Sequence, residues 1–318
     1  GDKMLKVIEL FAGIGSQTQA LKDLEVEHEV VAISEIDKYA VTSYEAMHGV
    51  ATNLGNILDI KELPGCDLLT YSFPCQDISM AGRQAGISVG TRSGLLYEVE
   101  RLLLVAKAQG LLPKYLLLEN VKNLVGKRYK EDFNLWLQKL SELGYTNYWQ
   151  VLNARDYNLP QNRERVFVVS VLDNKEPYIF PTAVPLTTKL KDILEVEPDS
   201  KYFLTTEQIG YITNSNYAQN TRRIQKKDYC DTLCARDYRG PKCVEVGDNR
   251  IRKITPKESF RLTGFSTESF DKARTALNAT YYNGKDRSGS QLYKQAGNSI
   301  GVPVLREIFR NLLCKGEI

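Results

Sequence analysis

The 318-residue sequence predicts an α/β fold, a doubly wound and mostly parallel sheet with a smaller irregular lobe attached. Three observations carry that expectation. Strand-like and helix-like segments alternate from Leu5 to Leu172. Prolines at 177, 181, 185 and 198 then break the rhythm, and polar, irregular sequence runs to about residue 250. Capped and amphipathic helical segments return from 254 to the end.

Taken in order, LKVIEL (5–10) is a short apolar strand that runs into the turn FAGIG (11–15). SQTQALKDL (16–24) has helical composition, HEVVAIS (28–34) is a β-branched strand, and KYAVTSYEAMH (38–48) reads as a helix. CDLLTYS (66–72) is the third strand. LLYEVERLLLVAKAQG (95–110) is an amphipathic helix stopped by Gly and Pro, KYLLLEN (114–120) the fourth strand, and YKEDFNLWLQKLSELG (129–144) a helix with a C-terminal Gly. VFVVSVL (166–172) is a buried strand, and the strand–helix rhythm implies a doubly wound sheet of mostly parallel strands. ITPKESFRLTGF (254–265) is a capped helix with Thr255 as N-cap and Pro256 in the first turn. QAGNSIGVPVLREIFRNLL (295–313) reads as a Gly-containing turn followed by an amphipathic helix. The expected division is a catalytic and cofactor-binding domain from 4–172 plus 295–318, and a smaller domain from 173–294 with its recognition segment at about 173–253.

Composition is that of a globular protein, 42% hydrophobic and 25% charged. No apolar run approaches the ~20 residues of a membrane span, and the start lacks a signal-peptide pattern, so a cytoplasmic protein without membrane association is expected. Gly1-Asp2-Lys3 ahead of Met4 is set aside as an expected artificial extension. The six cysteines lack framework spacing and are expected to be reduced thiols; Cys230, Cys234 and Cys243 have no fourth ligand nearby, so no metal is expected. Residues 1–171 carry 18 basic and 21 acidic side chains, whereas 172–318 carry 24 and 18. The segment 222–253 alone holds 10 basic and 5 acidic residues, a phosphate-binding surface or simply a solvated face.

Ligands of open α/β sheets sit beyond the carboxyl ends of the strands. Those ends are FAGIG, Glu35, Pro74-Cys75-Gln76 and Glu119-Asn120, so a Gly turn, two acids and a thiol should share one edge. FAGIG departs from the dinucleotide fingerprint because Thr18 stands where Gly or Ala is needed. Glu35 nevertheless suits a ribose diol, and hence a nucleoside-containing cofactor. Cys75 is an inert core thiol, a zinc ligand or a nucleophile. Zinc is disfavoured because the partner position of P-C-x-x-C is Ile78 and no His-x-Glu precedes it. A nucleophile needs a positive field and a nearby acid. Arg163 and Arg165 alternate on one strand face, and Glu119 ends the neighbouring strand, a set suited to attack on an electron-poor heterocycle.

These segments resemble the DNA (cytosine-5)-methyltransferases, bacterial or phage type, in order and over nearly the whole chain. FAGIG is similar to the opening cofactor motif, SFPCQDIS to the nucleophile motif, and GTRSGLLYEVERLL (90–103) to the motif after the catalytic loop. LLLENV (116–121), QNRERVF (161–167), ITPKESFRLTGF and QAGNSIGVPV resemble the later motifs. The resemblance implies the S-adenosylmethionine-dependent, Rossmann-like fold, with S-adenosyl-L-homocysteine as product. It implies Cys75 as nucleophile, Glu119 on N3 and the exocyclic amine of a flipped-out cytosine, Arg165 on O2, and Arg163 on phosphate or carbonyl groups while favouring thiolate. Phe11, Ala12, Gly13, Ile14, Gly15, Glu35, Ile36, Asn56, Ile57, Pro74, Asn298 and Ser299 are the implied cofactor residues. The family's third motif often reads Gly-Asp-Ile where this chain has Gly55-Asn56-Ile57, leaving Asn56 and Asp59 as alternative adenine contacts.

Double-stranded DNA is the implied partner. Gln76, Ser79 and Arg83 in the loop 76–93, Gln161 in the strand motif, and Arg222, Arg223, Arg236, Tyr238 and Arg239 in the recognition lobe are the expected DNA contacts. Arg236 and Arg239 are the guanine-reading candidates, with phosphate positioning as the alternative. A monomer, with a cognate restriction endonuclease in the same system, completes the expectation. A transfer-RNA methyltransferase of the same superfamily would keep the motifs without the ~80-residue lobe, and a nicotinamide enzyme would need a glycine at position 18.

Overall fold

The computed structural model describes residues 4–73, 94–214, 223–248 and 250–314. Its centre is a six-stranded sheet of β1 (Leu5–Leu10), β2 (His28–Ser34), β3 (Leu68–Tyr71), β4 (Tyr115–Val121), β5 (Tyr145–Asn153) and β7 (Glu164–Leu172) in the order β2-β1-β3-β4-β7-β5. The first four strands are mutually parallel, whereas β7 runs antiparallel to both β4 and β5. The sheet is thus mostly parallel, as expected, and the one reversed strand has a connective reason. Only a short 3₁₀ turn (Ala154–Tyr157) and the two-residue strand β6 (Gln161–Asn162) link β5 to β7, too little chain for a crossover helix. β5 itself is not foreseen by apolar alternation, since YTNYWQVLN is an edge strand of mixed polarity.

Period-two alternation sends successive strand residues to opposite faces. Ile8, Leu69, Leu116, Leu118 and Val168 pack on one side with residues of α3 (Gly94–Ala108) and α4 (Lys130–Glu142). Val7, Leu68, Leu117, Phe167 and Val169 pack on the other with α1 (Ser16–Asp23) and the C-terminal helix α10 (Val302–Leu313). α10 buries Val302, Val304, Leu305, Ile308, Phe309 and Leu312, a helical-period stripe in which each large side chain contributes roughly 2 kcal/mol. The sheet is therefore covered on both faces, as a doubly wound fold requires. α2 (Lys38–His48) follows β2 and starts at Asp37, whose carboxylate accepts the Tyr39 N–H.

Beyond Leu172 lie the short helices α5 (Leu190–Ile193) and α6 (Thr206–Thr213), and the small strands β8 (Cys230–Asp231), β9 (Cys243–Glu245) and β10 (Ile251–Lys253). Ile212, Ile224, Cys243 and Ile251, with Leu204 and Ile209, form a minor core of their own. Next come α7 (Pro256–Arg261), α8 (Thr267–Tyr281) and α9 (Gly289–Asn298). Their buried residues Phe260, Phe270, Leu277, Leu292 and Ala296 belong to one apolar cluster that takes in α1 and α10 and also Tyr178, Leu190, Cys230 and Val244 of the 173–253 segment. Thr255 caps α7 as expected, accepting the Glu258 N–H while Glu258 accepts the Thr255 N–H. QAGN is the last turn of α9 rather than a loop; the turn falls at Ser299–Gly301. No helix among the described residues is long and apolar enough to cross a membrane.

Candidate active site

A cleft of about 540 Å³ opens at the carboxyl ends of β1 to β4. Phe11, Ala12, Gly13, Ile14, Glu35, Ile36, Asn56, Ile57, Asn298 and Ser299 line one part of it, and Glu119, Arg163 and Arg165 another. Pro74, Cys75, Gln76, Ser79, Arg83 and Arg222 lie outside the described residues.

The turn after β1 is sharply left-handed: Phe11 has φ 57°, Gly13 56° and Gly15 80°. A non-glycine residue at Phe11's φ is an uncommon conformation, of the kind that clusters at ligand sites. Gly13 N–H donates to Glu35 Oε2 at 2.8 Å, and Asp37 N–H donates to Oε1 at 2.8 Å. Each carboxylate oxygen keeps a lone pair, so Glu35 can still accept from a diol. Gly15 does not line the cleft. Its φ is positive, and a Cβ there would stand 2.6 Å from the Tyr44 ring and 2.7 Å from the His48 ring, so the glycine serves close packing beneath the turn. Of the two adenine candidates, Asn56 lines the cleft and Asp59 does not.

Sequence reasoning passed over the support beneath this turn. Glu9, fully buried on β1, accepts both the N–H and the hydroxyl of Thr18 at 2.8 Å, and Thr18 Oγ1 meets Tyr44 OH at 3.0 Å. Burial pushes the Glu9 carboxyl up to about 7, against the pull of Thr18, Tyr44 and Lys22. The same Thr18 that breaks the dinucleotide fingerprint thus ties the start of α1 to β1. The lining residues Ser72, Lys294 and Gln295 were also missed, since nothing in their local sequence marks them. Lys294 Nζ pairs with Asp37 at 2.7 Å. Gln295 Nε2 is buried with no hydrogen-bond partner among the described residues, which leaves a polar valence for a ligand.

At the other end, Arg165 Nε lies 3.2 Å from Glu119 Oε1, both side chains largely buried. The antiparallel register sets Arg165 opposite Val121, so β7 enters the sheet where β4 leaves it. Burial pushes the Glu119 carboxyl above the ordinary range, and Arg165, Arg163 and the neighbouring Ser72 hydroxyl reverse this only in part. Asn120 Nδ2 donates to Phe73 O at 3.2 Å, holding the end of the strand that precedes Pro74.

Arg163 holds carbonyl groups, one of the two alternatives expected of it, and they are those of the backbone. It is 5% exposed, and its Nη1 and Nη2 donate to Leu233 O at 2.9 Å and Gly297 O at 3.0 Å. Burial lowers its pKa to about 9, which still leaves it charged at neutral pH. Its guanidinium therefore braces backbone instead of reaching phosphate. Gln161 is corrected: it is fully buried, its Nε2 donates to Leu262 O at 2.6 Å and its Oε1 accepts from Leu233 N–H at 3.1 Å, which leaves nothing for DNA. Arg223 is turned into the lobe, with Nη2 donating to Pro241 O at 3.2 Å and its Nε buried. Arg236, Tyr238 and Arg239 are exposed, and Arg239 Nε donates to Tyr238 OH at 3.1 Å with the guanidinium over the ring.

A family model described as C-5 cytosine-specific DNA methylase matches residues 5–314, nearly the whole chain. The chain belongs to this family. Among its curated relatives, the type II methyltransferase M2.ScrFI of Lactococcus lactis subsp. cremoris is 37% identical, covering 97% of this chain and 99% of that protein. M.NlaX of Neisseria lactamica, also a type II methyltransferase, is 36% identical over 96% of this chain and 95% of its own length. The solved structure of S. pombe Dnmt2 methyltransferase shares the fold, with a TM-score of 0.75 at 21% identity over 99% of this chain and 100% of that one. This C-5 cytosine-specific DNA methylase is thus a DNA (cytosine-5)-methyltransferase with S-adenosylmethionine as its methyl donor, and the transfer-RNA alternative is the less supported.

Proposed function

We propose that the cleft carries out methyl transfer to C5 of a flipped-out cytosine in a short double-stranded DNA sequence, with Cys75 adding to C6 and Glu119 and Arg165 holding the base. The observation that carries this assignment is the buried Arg165–Glu119 pair at the strand ends, in the same cleft as the left-handed Gly turn and Glu35. Cytosine C5 is a poor nucleophile until a thiolate adds to C6; a base then removes the C5 proton so the thiol can leave. Glu119, lifted toward its protonated form, donates to N3 and accepts from the exocyclic amine. Arg165 donates to O2. Glu35 holds the ribose of the cofactor, Asn56 its adenine, and Asn298 and Ser299 close the far wall. The bound cofactor supplies a methyl group made electrophilic by a sulfonium. The base is reachable only outside the duplex, so DNA must be unstacked at the target. Arg236, Tyr238 and Arg239 are the groove contacts. We further place this work in the cytoplasm, by a monomer, alongside a cognate restriction endonuclease.

The test is transfer of labelled methyl from S-adenosylmethionine to duplex DNA, followed by bisulfite sequencing of DNA from expressing cells. A fixed short motif methylated at cytosine C5 is expected; methylation of RNA with none on DNA would overturn the assignment.

The protonation of Glu119 gives a second expectation. Its raised pKa means the proton is held at low pH and lost as pH rises through the folded-state value; both the donor to N3 and the group's stability contribution decline in that direction. The single-turnover rate should therefore carry a descending alkaline limb. Glu119→Gln, which keeps a donor that cannot titrate, should lower the rate roughly 10²-fold and flatten that limb. An unchanged pH profile in the variant would assign the limb elsewhere.

A further inference from the structure

Gly297, the last residue but one of α9, has no side chain, and the backbone of the recognition segment lies directly on it. A Cβ built there would stand 2.2 Å from Cys234 C, 2.3 Å from Cys234 O and 2.5 Å from Ala235 N. These are backbone atoms, which cannot swing aside as a flexible side chain can. The contact is bolted on both sides. Arg163 spans it, donating to Leu233 O and Gly297 O. Gln161 Oε1 accepts from Leu233 N–H while its Nε2 donates to Leu262 O, at the end of α7. β6 pairs in parallel with β8, Cys230 N–H donates to Pro160 O at 2.8 Å, and Thr232 Oγ1 donates to Asn162 O at 2.6 Å. Residues 230–235 are thus laid along 160–163 and pressed onto Gly297. Ala235 reaches the cleft, and Arg236 to Arg239 follow at once on the exposed side.

We propose that Gly297, with Gln161 and Arg163, is a positioning element for DNA: the missing side chain sets the depth at which the loop bearing Arg236, Tyr238 and Arg239 rests relative to Glu119 and Arg165. The inference rests on the DNA-methylating function above and deepens it. Most of the cofactor end of the cleft is built by other elements, the turn after β1, Glu35 and Asn56; Asn298 and Ser299 follow Gly297 on its far wall, but the added Cβ points away from them, at Cys234 and Ala235. A displaced recognition segment would misplace the duplex against the base pocket while the cofactor still binds.

The experiment compares the full-length wild type with Gly297→Ala and Gln161→Met. It reads S-adenosylmethionine affinity by titration calorimetry, KM for duplex DNA, kcat, and the spread of methylated sites by bisulfite sequencing. Both variants are expected to raise KM for DNA at least tenfold or to spread methylation to neighbouring sequences, with cofactor affinity within threefold of wild type. Equal loss of cofactor and DNA affinity, or no change in either, would overturn the proposal. If Gly297→Ala does not fold, the volume-conserving Gln161→Met decides alone. A wild type that leaves DNA unmethylated would strike the functional assignment instead, so the two failures are distinct.

Discussion

Cys75→Ser is expected to reduce methyl transfer by at least about a thousandfold, the scale of loss when a covalent nucleophile is removed. A serine hydroxyl ionises far above neutral pH and attacks C6 poorly, whereas a thiolate is available in a positive field. Arg165 and Arg163, which line the cleft beside Ser72 and Phe73, are the charges proposed to supply such a field. Cofactor binding should survive, because the Gly turn, Glu35 and Asn56 are untouched. Wild type should form a gel-stable adduct with DNA carrying 5-fluorocytosine, in which elimination is blocked, and the variant should form none. Full activity or a persistent adduct in Cys75→Ser would remove the nucleophile assignment.

The largest expected effect on stability lies at Arg252. Its guanidinium is 1% exposed and pairs bidentately with Glu258, at 2.7 and 3.0 Å. Glu258 is fully buried and also accepts the Thr255 N–H and the Glu195 N–H, each at 2.7 Å. One ion pair therefore ties β10 of the small lobe to the capping box of α7 and to the segment after α5. Removing one partner strands the other charge in the core, and Arg252→Met or Glu258→Gln should cost about 3–5 kcal/mol. Urea unfolding measures this directly. The double variant should recover part of the loss, since the penalty belongs to the unpaired charge. A cost below about 1 kcal/mol in both single variants would show that the lobe is held by its apolar contacts instead.

Much of the scaffold was legible in residue order. β1, β2 and α2 fall at the expected bounds because alternation and helical periodicity are local signals, as is the Thr255–Glu258 cap. The convergence of FAGIG, Glu35 and Glu119 followed from the rule for strand ends. Gln161 was misassigned, and the particular carbonyls held by Arg163 went unnamed, for the opposite reason: a polar side chain's partners are set by chain segments 70 to 134 residues away, and no local pattern reports them. Gly297 looked like a turn former, and only the approach of Cys234 reveals why a glycine stands inside a helix.

What the sequence determined by itself was the chemistry available: a thiol, a carboxyl, two guanidiniums and a glycine turn at strand boundaries. What only the tertiary structure decided was the direction of β7. Had that strand run parallel to β4, Arg165 would lie at the edge of the sheet opposite Glu119. The short link from β5 forces β7 back antiparallel between β4 and β5, so that its first residues, rather than its last, meet the carboxyl end of β4. Strand direction depends on how much chain is available to cross the sheet, and that is a property of the folded connections rather than of any one segment.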